Sequence, residues 1–304
     1  MPSGAVGTRA LVTGATGFLG GHLTRHLLAT GWTVDCIVRA SSSALPPGAR
    51  GHVYDGSTDS LLTAVDAARP DVVFHLASVF VAAHKPESVD PLIRSNVLLG
   101  AQLLEGMAAA GCTRLVNTGT CWQHLDDADY QPVNLYAATK QAMEDILDYY
   151  VSTGAVDVVT LKIYDTYGPN DTRDKVLALL VRAALEGTHL DLSPGEQFLE
   201  LVYVDDVVAA FTTAAQALLE GRSHGHRRYA LRARERLSLR ETARIVERVA
   251  GRPIDAVWGA RPYREREVMT PWRAGEPLPG WSAVVGLEDG VRRLVASMRC
   301  PDRA

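Results

Sequence analysis

The run Thr13-Gly14-Ala15-Thr16-Gly17-Phe18-Leu19-Gly20 stands directly between an apolar strand, Arg9 to Thr13, and a helix expected over Gly17 to Thr30. Three glycines at that junction permit a tight turn and close backbone approach. A pyrophosphate can then lie against the helix N-terminus, where free N–H groups and the helix dipole favour negative charge. The spacing is Gly-x-x-Gly-x-x-Gly, not the Gly-x-Gly-x-x-Gly of the commonest dinucleotide fingerprint. A glycine turn without a ligand is the other reading of the same residues.

Strand-like and helix-like stretches alternate onward from this turn, as crossover units of a parallel sheet require. Strands are expected at Thr33 to Val38, His52 to Tyr54, Asp71 to Leu76, Arg114 to Asn117 and Val156 to Ile163. Helices are expected over Ser60 to Ala68, Pro91 to Ala110 and Tyr136 to Val151. Continuous apolar runs such as Val72-Val73-Phe74 suit a sheet covered on both faces. After Tyr167-Gly168-Pro169-Asn170-Asp171 the rhythm changes. A helix near Lys175 to Glu186, an extended Phe198 to Tyr203, a helix opening at Asp205-Asp206, a strand at Tyr229 to Leu231, a helix over Leu239 to Ala250 and an Arg- and Pro-rich stretch from Arg261 to Pro279 follow. The fold class is therefore α/β: a doubly wound parallel sheet (Rossmann) with a smaller, discontinuous α+β substrate-binding lobe. Residues 1–165 form the dinucleotide-binding domain, 204–222 return to it, and 166–203 with 223–304 form the lobe.

A chain of 304 residues with 47% hydrophobic and 22% charged residues can bury cores for both parts. Its formal net charge of -4 supplies no attraction for nucleic acid or an anionic membrane surface. No stretch approaches the ~20 apolar residues of a membrane span. The opening Met1 to Gly7 lacks a basic segment before an apolar run, so a cytoplasmic protein is expected. Cys36, Cys112, Cys121 and Cys300 lack metal-ligand spacing and read as reduced apolar residues; no metal is expected.

Tyr136 and Lys140 stand four residues apart, which puts a phenol and an ammonium on one helix face. A neighbouring cation favours phenolate and lowers a tyrosine pKa, which suits proton exchange in carbonyl–alcohol chemistry. A solvated helix face is the bland reading of that spacing alone. Arg39 ends the second strand where NAD-selective sites carry a carboxylate for the ribose 2′-hydroxyl. A guanidinium there matches a 2′-phosphate, so NADP is favoured over NAD; an exposed loop arginine is the alternative. Asp55, after the third strand, is placed for the adenine amino group, and Leu76 and Ala77 for passage along the cofactor.

With these residues in view the chain resembles the extended short-chain dehydrogenase/reductase (NAD-dependent epimerase/dehydratase) family over nearly its full length. The markers are Gly14-Gly17-Gly20, His75-Leu76-Ala77, Asn96, Tyr136/Lys140, Tyr167-Gly168-Pro169 and Val204-Asp205-Asp206-Val207. Asn117-Thr118-Gly119-Thr120-Cys121-Trp122-Gln123, Pro132 to Lys140, Asp165 to Asp171 and Ser193-Pro194-Gly195-Glu196-Gln197 are most similar to CDP-abequose and CDP-paratose synthases. The resemblance implies NADPH-dependent reduction of the 4-keto group of a CDP- or dTDP-linked 4-keto-6-deoxyhexose. It implies Thr120 as hydroxyl partner of Tyr136, Lys140 as the holder of the nicotinamide ribose, and a homodimer. The expected cofactor set is Gly14, Thr16, Gly17, Phe18, Leu19, Arg39, Asp55, Leu76, Ala77, Tyr136, Lys140 and Tyr164.

Departures from the family pattern narrow the reaction. Related dehydratases carry an acidic pair just after the threonine; Cys121 and Trp122 stand there and do neither job. Related epimerases keep NAD bound, whereas Arg39 points to exchangeable NADPH; an NAD-dependent nucleotide-sugar 4-epimerase is the alternative. Leu199-Glu200 replaces an arginine that grips the substrate diphosphate in many relatives, which leaves Arg264 or Lys175 for that task. Asp165 replaces the usual asparagine and should face the substrate, with His84 and His124 within loop reach of the sugar.

Overall fold

The computed structural model describes residues 7–39 and 45–299; the serines at 41–43, the first six residues and Cys300 lie outside them. In chain order the first half runs β1 (Arg9–Thr13), α1 (Phe18–Ala29), β2 (Thr33–Arg39), β3 (Arg50–Tyr54), α2 (Thr58–Ala68) and β4 (Val72–His75). It continues through α3 (Val89–Ile93), a π-type turn (Arg94–Leu98), α4 (Leu99–Ala110), β5 (Arg114–Thr120), α5 (Leu135–Ser152) and β6 (Asp157–Ile163). The second half holds β7 (Asp165–Tyr167), α6 (Val176–Glu186), β8 (Leu190–Leu192), β9 (Phe198–Leu199), β10 (Leu201–Tyr203) and α7 (Val204–Leu219). It closes with β11 (His226–Leu231), β12 (Leu237–Ser238), α8 (Leu239–Ala250), β13 (Ala256–Trp258) and α9 (Leu287–Arg299).

Seven strands form one parallel sheet in the order β11-β6-β5-β4-β1-β2-β3. The chain thus builds outward from β1 in both directions, and the order reverses between β1 and β4. In such sheets the crevice beyond the strands' carboxyl ends at that reversal is where ligands bind. The central strands are apolar because both faces are covered. On one face Leu23 and Leu27 of α1 pack with Val207 and Phe211 of α7. On the other, Leu61 of α2, Leu103 and Met107 of α4, and Met143 and Leu147 of α5 form a second core. A third core joins α6, α8 and α9 to β10 through Leu180, Val246 and Val291. This is the smaller lobe.

The reversal point is closed tightly. The Thr13 hydroxyl accepts N–H bonds from Leu76 and Ala77, both at 3.1 Å, and lies 2.9 Å from His75 Nδ1. Gly14 adopts a left-handed φ of 76°, and a Cβ there would stand 2.7 Å from the Ala77 nitrogen. A Cβ on Gly20 would meet the Gly14 carbonyl oxygen at 2.1 Å. Only glycine fits either place, because the turn folds back on the helix that it opens.

Three expectations from sequence are corrected, and one helix was not expected. The helix expected over residues 91–110 begins at Val89 and is interrupted by the π-type turn at Arg94–Leu98. The buried Asn96 sits in that turn and bonds Val79 N (2.8 Å), Val79 O (3.0 Å) and Thr139 Oγ1 (2.9 Å), so the bulge delivers a side chain to the site. The extended Phe198 to Tyr203 is two strands, β9 antiparallel to β12 and β10 parallel to β7. Glu200 breaks them by turning inward to pair with Arg236. Residues 226–231, expected in the lobe, are the edge strand of the large sheet, where Ala230 and Leu231 are buried and Arg228 bonds Glu144. Helix α9 had no counterpart in the sequence reading. Its signal is Leu287, Val291, Leu294 and Val295, spaced to share one face, with Glu288 and Asp289 in the first turn. Among the described residues no helix is long and apolar enough to cross a membrane.

Candidate active site

Helix α5 starts at a built cap. Asn134 Oδ1 accepts from Ala137 N (3.0 Å) while its Nδ2 donates to the carbonyl of Ala82 (3.0 Å). That ties the helix start to the loop after β4 and aims Tyr136 and Lys140 inward, where both are buried. Thr120 closes β5 beside them. Its backbone N–H donates to Gln123 Oε1 (3.0 Å), and Gln123 Nε2 donates to Gln141 and Glu144, both at 2.8 Å. One amide therefore fastens the end of β5 to α5, which holds the threonine and the tyrosine in register.

Thr120, Tyr136 and Lys140 share one cleft of about 240 Å³ with Gly14, Gly17, Phe18, Leu19 and Leu76. A second cleft of about 470 Å³ continues along the sheet edge, lined by Thr16, Arg39, Tyr54, Gly56 and Ala77. On the opposite side of Trp122 lies a third, of about 450 Å³, lined by His84, Asn134, Asp165, Glu200 and Arg264. The glycine turn, the trio Thr120, Tyr136 and Lys140 and the residues expected to face substrate are thus brought into one continuous region, with Asp165 and Trp122 lining both the first and the third cleft.

Several expected residues are placed differently in detail. The Asp55 carboxylate accepts from the N–H (2.8 Å) and hydroxyl (2.6 Å) of Ser57, and its neighbours Tyr54 and Gly56 supply the cleft wall. Tyr164 keeps its ring in the cleft but donates its hydroxyl to the Trp272 carbonyl (2.6 Å), which anchors the Arg- and Pro-rich stretch. Lys175 bonds Asp165 (2.9 Å) and sits 4.3 Å over the Phe80 ring. His124 does not reach into the site. It is buried, stacked on Trp272 at 3.9 Å and bonded to Lys162 Nζ at 2.7 Å. Two residues not expected at the site join it: Phe80, whose ring centroid lies 5.0 Å from that of Tyr136, and Arg173, which lines the same cleft. An aromatic in the loop after β4 and a cation after Tyr167-Gly168-Pro169 were the available signals.

The electrostatics also correct the sequence reading. Burial pushes the Tyr136 phenol well above the ordinary tyrosine range; the Cys121 thiol adds to this, while the Ser78 and Thr120 hydroxyls and Arg173 pull the other way. Lys140 is not the group that sets its proton affinity. Desolvation decides it, because a buried phenolate costs more than nearby dipoles return. Lys140 itself is lowered to about 8 by burial, against the opposing pull of Glu144. His75 is pushed down to about 3 by burial and by Lys140, so it stays a neutral bonding partner of Thr13. The Cys121 thiol is raised by burial and is inert at neutral pH.

A model of the NAD dependent epimerase/dehydratase family matches residues 10–228. The chain belongs to that family. Among curated relatives, CDP-abequose synthase of Yersinia pseudotuberculosis is 29% identical over 203 residues, 66% of this chain and 71% of that one. UDP-glucose 4-epimerase of Mycolicibacterium smegmatis is 27% identical over 319 residues, covering 96% of this chain and 98% of its own. Among solved structures, UDP-glucose 4-epimerase of Thermus thermophilus in complex with NAD superposes with a TM-score of 0.83 at 26% identity, covering 96% of this chain and 99% of that one. The likeness to CDP-abequose synthases drawn from motifs is met by these relatives.

The residues present fit the dinucleotide that the family name implies. Helix α1 opens at Gly17 with no side-chain cap and no acidic residue in its first turn, so its first N–H groups face the cleft as anion donors. For any carbonyl–alcohol conversion run by this trio, the charge on Lys140 is present below about 8 and lost above it. The account predicts kcat/KM flat through neutral pH and falling as pH rises through about 8. A pH–rate profile that stays level to pH ~10 would contradict the role of that charge.

Proposed function

We propose that this enzyme reduces the 4-keto group of a CDP- or dTDP-linked 4-keto-6-deoxyhexose with NADPH. The observation that carries the reading is the gathering of Thr120, Tyr136 and Lys140 at one cleft with the glycine turn. A bound nicotinamide dinucleotide supplies the hydride. The protein supplies the rest. Tyr136 donates its proton to the carbonyl oxygen as that oxygen becomes an alkoxide. Its raised proton affinity keeps it in the donor form throughout the neutral range, which suits the direction of reduction. Lys140, positively charged below about 8, puts a cation in the same cleft and is assigned to the nicotinamide ribose. Thr120 provides a second hydroxyl beside the same oxygen, and donors fixed in advance serve a developing charge best.

Two features favour net reduction over the alternatives. Cys121 and Trp122 offer no acid or base for eliminating water, and the Cys121 thiol holds its proton. Arg39 lines the adenosine end of the cofactor cleft at the tip of β2. The carboxylate of that strand, Asp35, is buried at its other end under Arg50 and His52, both at 2.6 Å. A 2′-phosphate at Arg39 would therefore meet a cation with that strand's own carboxylate turned away. NAD-dependent 4-epimerisation is the second reading; it draws support from the Mycolicibacterium relative and from the NAD held by the Thermus structure. On the substrate side Arg264 lines the third cleft, beside the Lys175–Asp165 pair that borders the first, and we assign Arg264 to the substrate diphosphate.

Two variants test this reading. Tyr136→Phe should lower kcat by at least about 100-fold while NADPH binding persists, because only the proton donor is removed. Wild-type turnover in that variant would refute the role. Arg39→Asp should shift the NADPH/NADH ratio of kcat/KM toward NADH by at least about 10-fold. An unmoved ratio would remove the 2′-phosphate assignment.

A further inference from the structure

The cofactor cleft has a second wall that the family markers do not mention. It is made by the loop after Tyr167-Gly168-Pro169, and its one cation facing the glycine turn is Arg173. We propose that Arg173 is a latch over the dinucleotide's diphosphate, closing the cleft from the side of the smaller lobe.

Charge bookkeeping along the cleft leads there. A diphosphate brings two negative charges, and the stretch Thr13 to Gly21 contains no Lys or Arg. Backbone N–H groups on α1 meet it from one side; any side-chain cation must come from across the cleft. Among the described residues, Arg39 and Arg94 line the section of the cleft that runs along the sheet edge, and Lys140, Lys175 and Arg173 line the section that holds Thr120 and Tyr136. Lys140 is committed beside Tyr136, with Glu144 behind it. Lys175 is bonded to Asp165 and lies over Phe80 and Trp122, on the substrate side. Arg173 instead lies against Phe18, the first residue of α1, with its guanidinium carbon 4.7 Å from the ring centroid.

The guanidinium is held as a latch would be. Nε and Nη2 donate to the two carboxylate oxygens of Asp171 at 2.7 and 2.8 Å, and Nη2 also donates to the Thr166 carbonyl at 3.1 Å. The Asp171 side chain is 4% exposed, whereas that of Arg173 is 41% exposed. The anchor is thus buried and the charged head is presented to the opening, with Nη1 outside these bonds. The same loop is fastened to the cofactor domain a second time, where His22 Nε2 lies 3.0 Å from the Pro169 carbonyl. Asn170, between the two fastenings, takes a left-handed φ of 65°. A bidentate pair fixes a guanidinium plane more firmly than any lysine contact can. In a reductase the dinucleotide leaves after every turnover, so a cation placed here sets how long it stays.

The proposal rests on the dinucleotide reading of the cleft and is independent of whether NADPH or NADH is preferred. The test is binding, not turnover: nucleotide fluorescence titration and stopped-flow displacement on the full chain, for wild type, R173Q and R173K. R173Q should raise Kd for NADPH and for NADH alike by about 10-fold, chiefly through faster release, and R173K should fall between. 2′,5′-ADP, which lacks the diphosphate bridge, should bind all three proteins equally. Nucleotide-free melting temperatures report folding separately, because replacing Arg173 leaves the buried Asp171 carboxylate without its partner. Unchanged NADPH and NADH affinities in R173Q overturn the proposal, and weakened CDP or dTDP binding in that case would hand Arg173 to the substrate. Equal weakening of 2′,5′-ADP overturns it as well. Wild type that prefers NADH would sink the NADP reading alone; wild type that binds neither sinks both.

Discussion

The whole site is hung from one hydroxyl. Thr13 ends β1, and its Oγ1 gathers the first two N–H groups beyond β4 while meeting His75 at the end of that strand. This pins together the two strands between which the sheet reverses direction. Everything that lies on the crevice inherits its position from that closure. Gly14 passes so near Ala77 that no side chain fits, which sets the path of the glycine turn and hence the start of α1. The loop leaving β4 then runs to Asn96, and Asn96 bonds Thr139 on the helix that carries Tyr136 and Lys140. A short chain of buried polar contacts thus connects the glycine turn to the helix that carries Tyr136. Buried hydrogen bonds of this kind are costly to leave half made, which gives the arrangement its rigidity.

Behind Thr120, Tyr136 and Lys140 lies a second buried set. Glu144 is fully enclosed and accepts from Gln123 and Arg228 (2.9 Å), with Lys162 at 3.5 Å. It also sits one helical turn beyond Lys140, whose charge it supports. Removing one member would strand the others without water, a cost of about 3–5 kcal/mol for a broken buried pair. The site therefore keeps a lysine on the verge of losing its proton beside a phenol that holds its own firmly. That division suits an enzyme that must deliver a proton and then recover it.

Much of this was legible in the chain, and the reasons for the exceptions are physical. The strands could be read because double-sided burial makes them continuously apolar, as in Val72-Val73-Phe74. Helix α8 falls near where it was expected, and its ends are set locally: Ser238 and Glu241 form a capping box, and Gly251 ends the helix in a left-handed conformation. The trio and the glycine turn stood out as local spacings. What was hidden depends on distant partners. The bulge around Asn96 looks like unbroken helix until the loop at Val79 is known. The break at Glu200 follows from Arg236, 36 residues further on. The phenol's proton affinity is a matter of burial, and the i,i+4 spacing that suggested an acidified tyrosine says nothing about how much water reaches it. Arg173 was invisible for the same reason: its meaning comes from Phe18, on the opposite wall.

On the proposed reading, Arg39 at the ribose end of the cleft and a protonated Tyr136 at its reactive end belong to an enzyme that spends reducing equivalents rather than shuttling them. The most direct measurement is isotopic. The protein is supplied with NADPH deuterated at the transferable position and a CDP- or dTDP-4-keto-6-deoxyhexose, and the products are examined by mass spectrometry and NMR. The account predicts one deuterium on the former carbonyl carbon of the sugar and one equivalent of released NADP+ for each sugar reduced. A sugar product without label, formed while the dinucleotide remains bound and unconsumed, would contradict it.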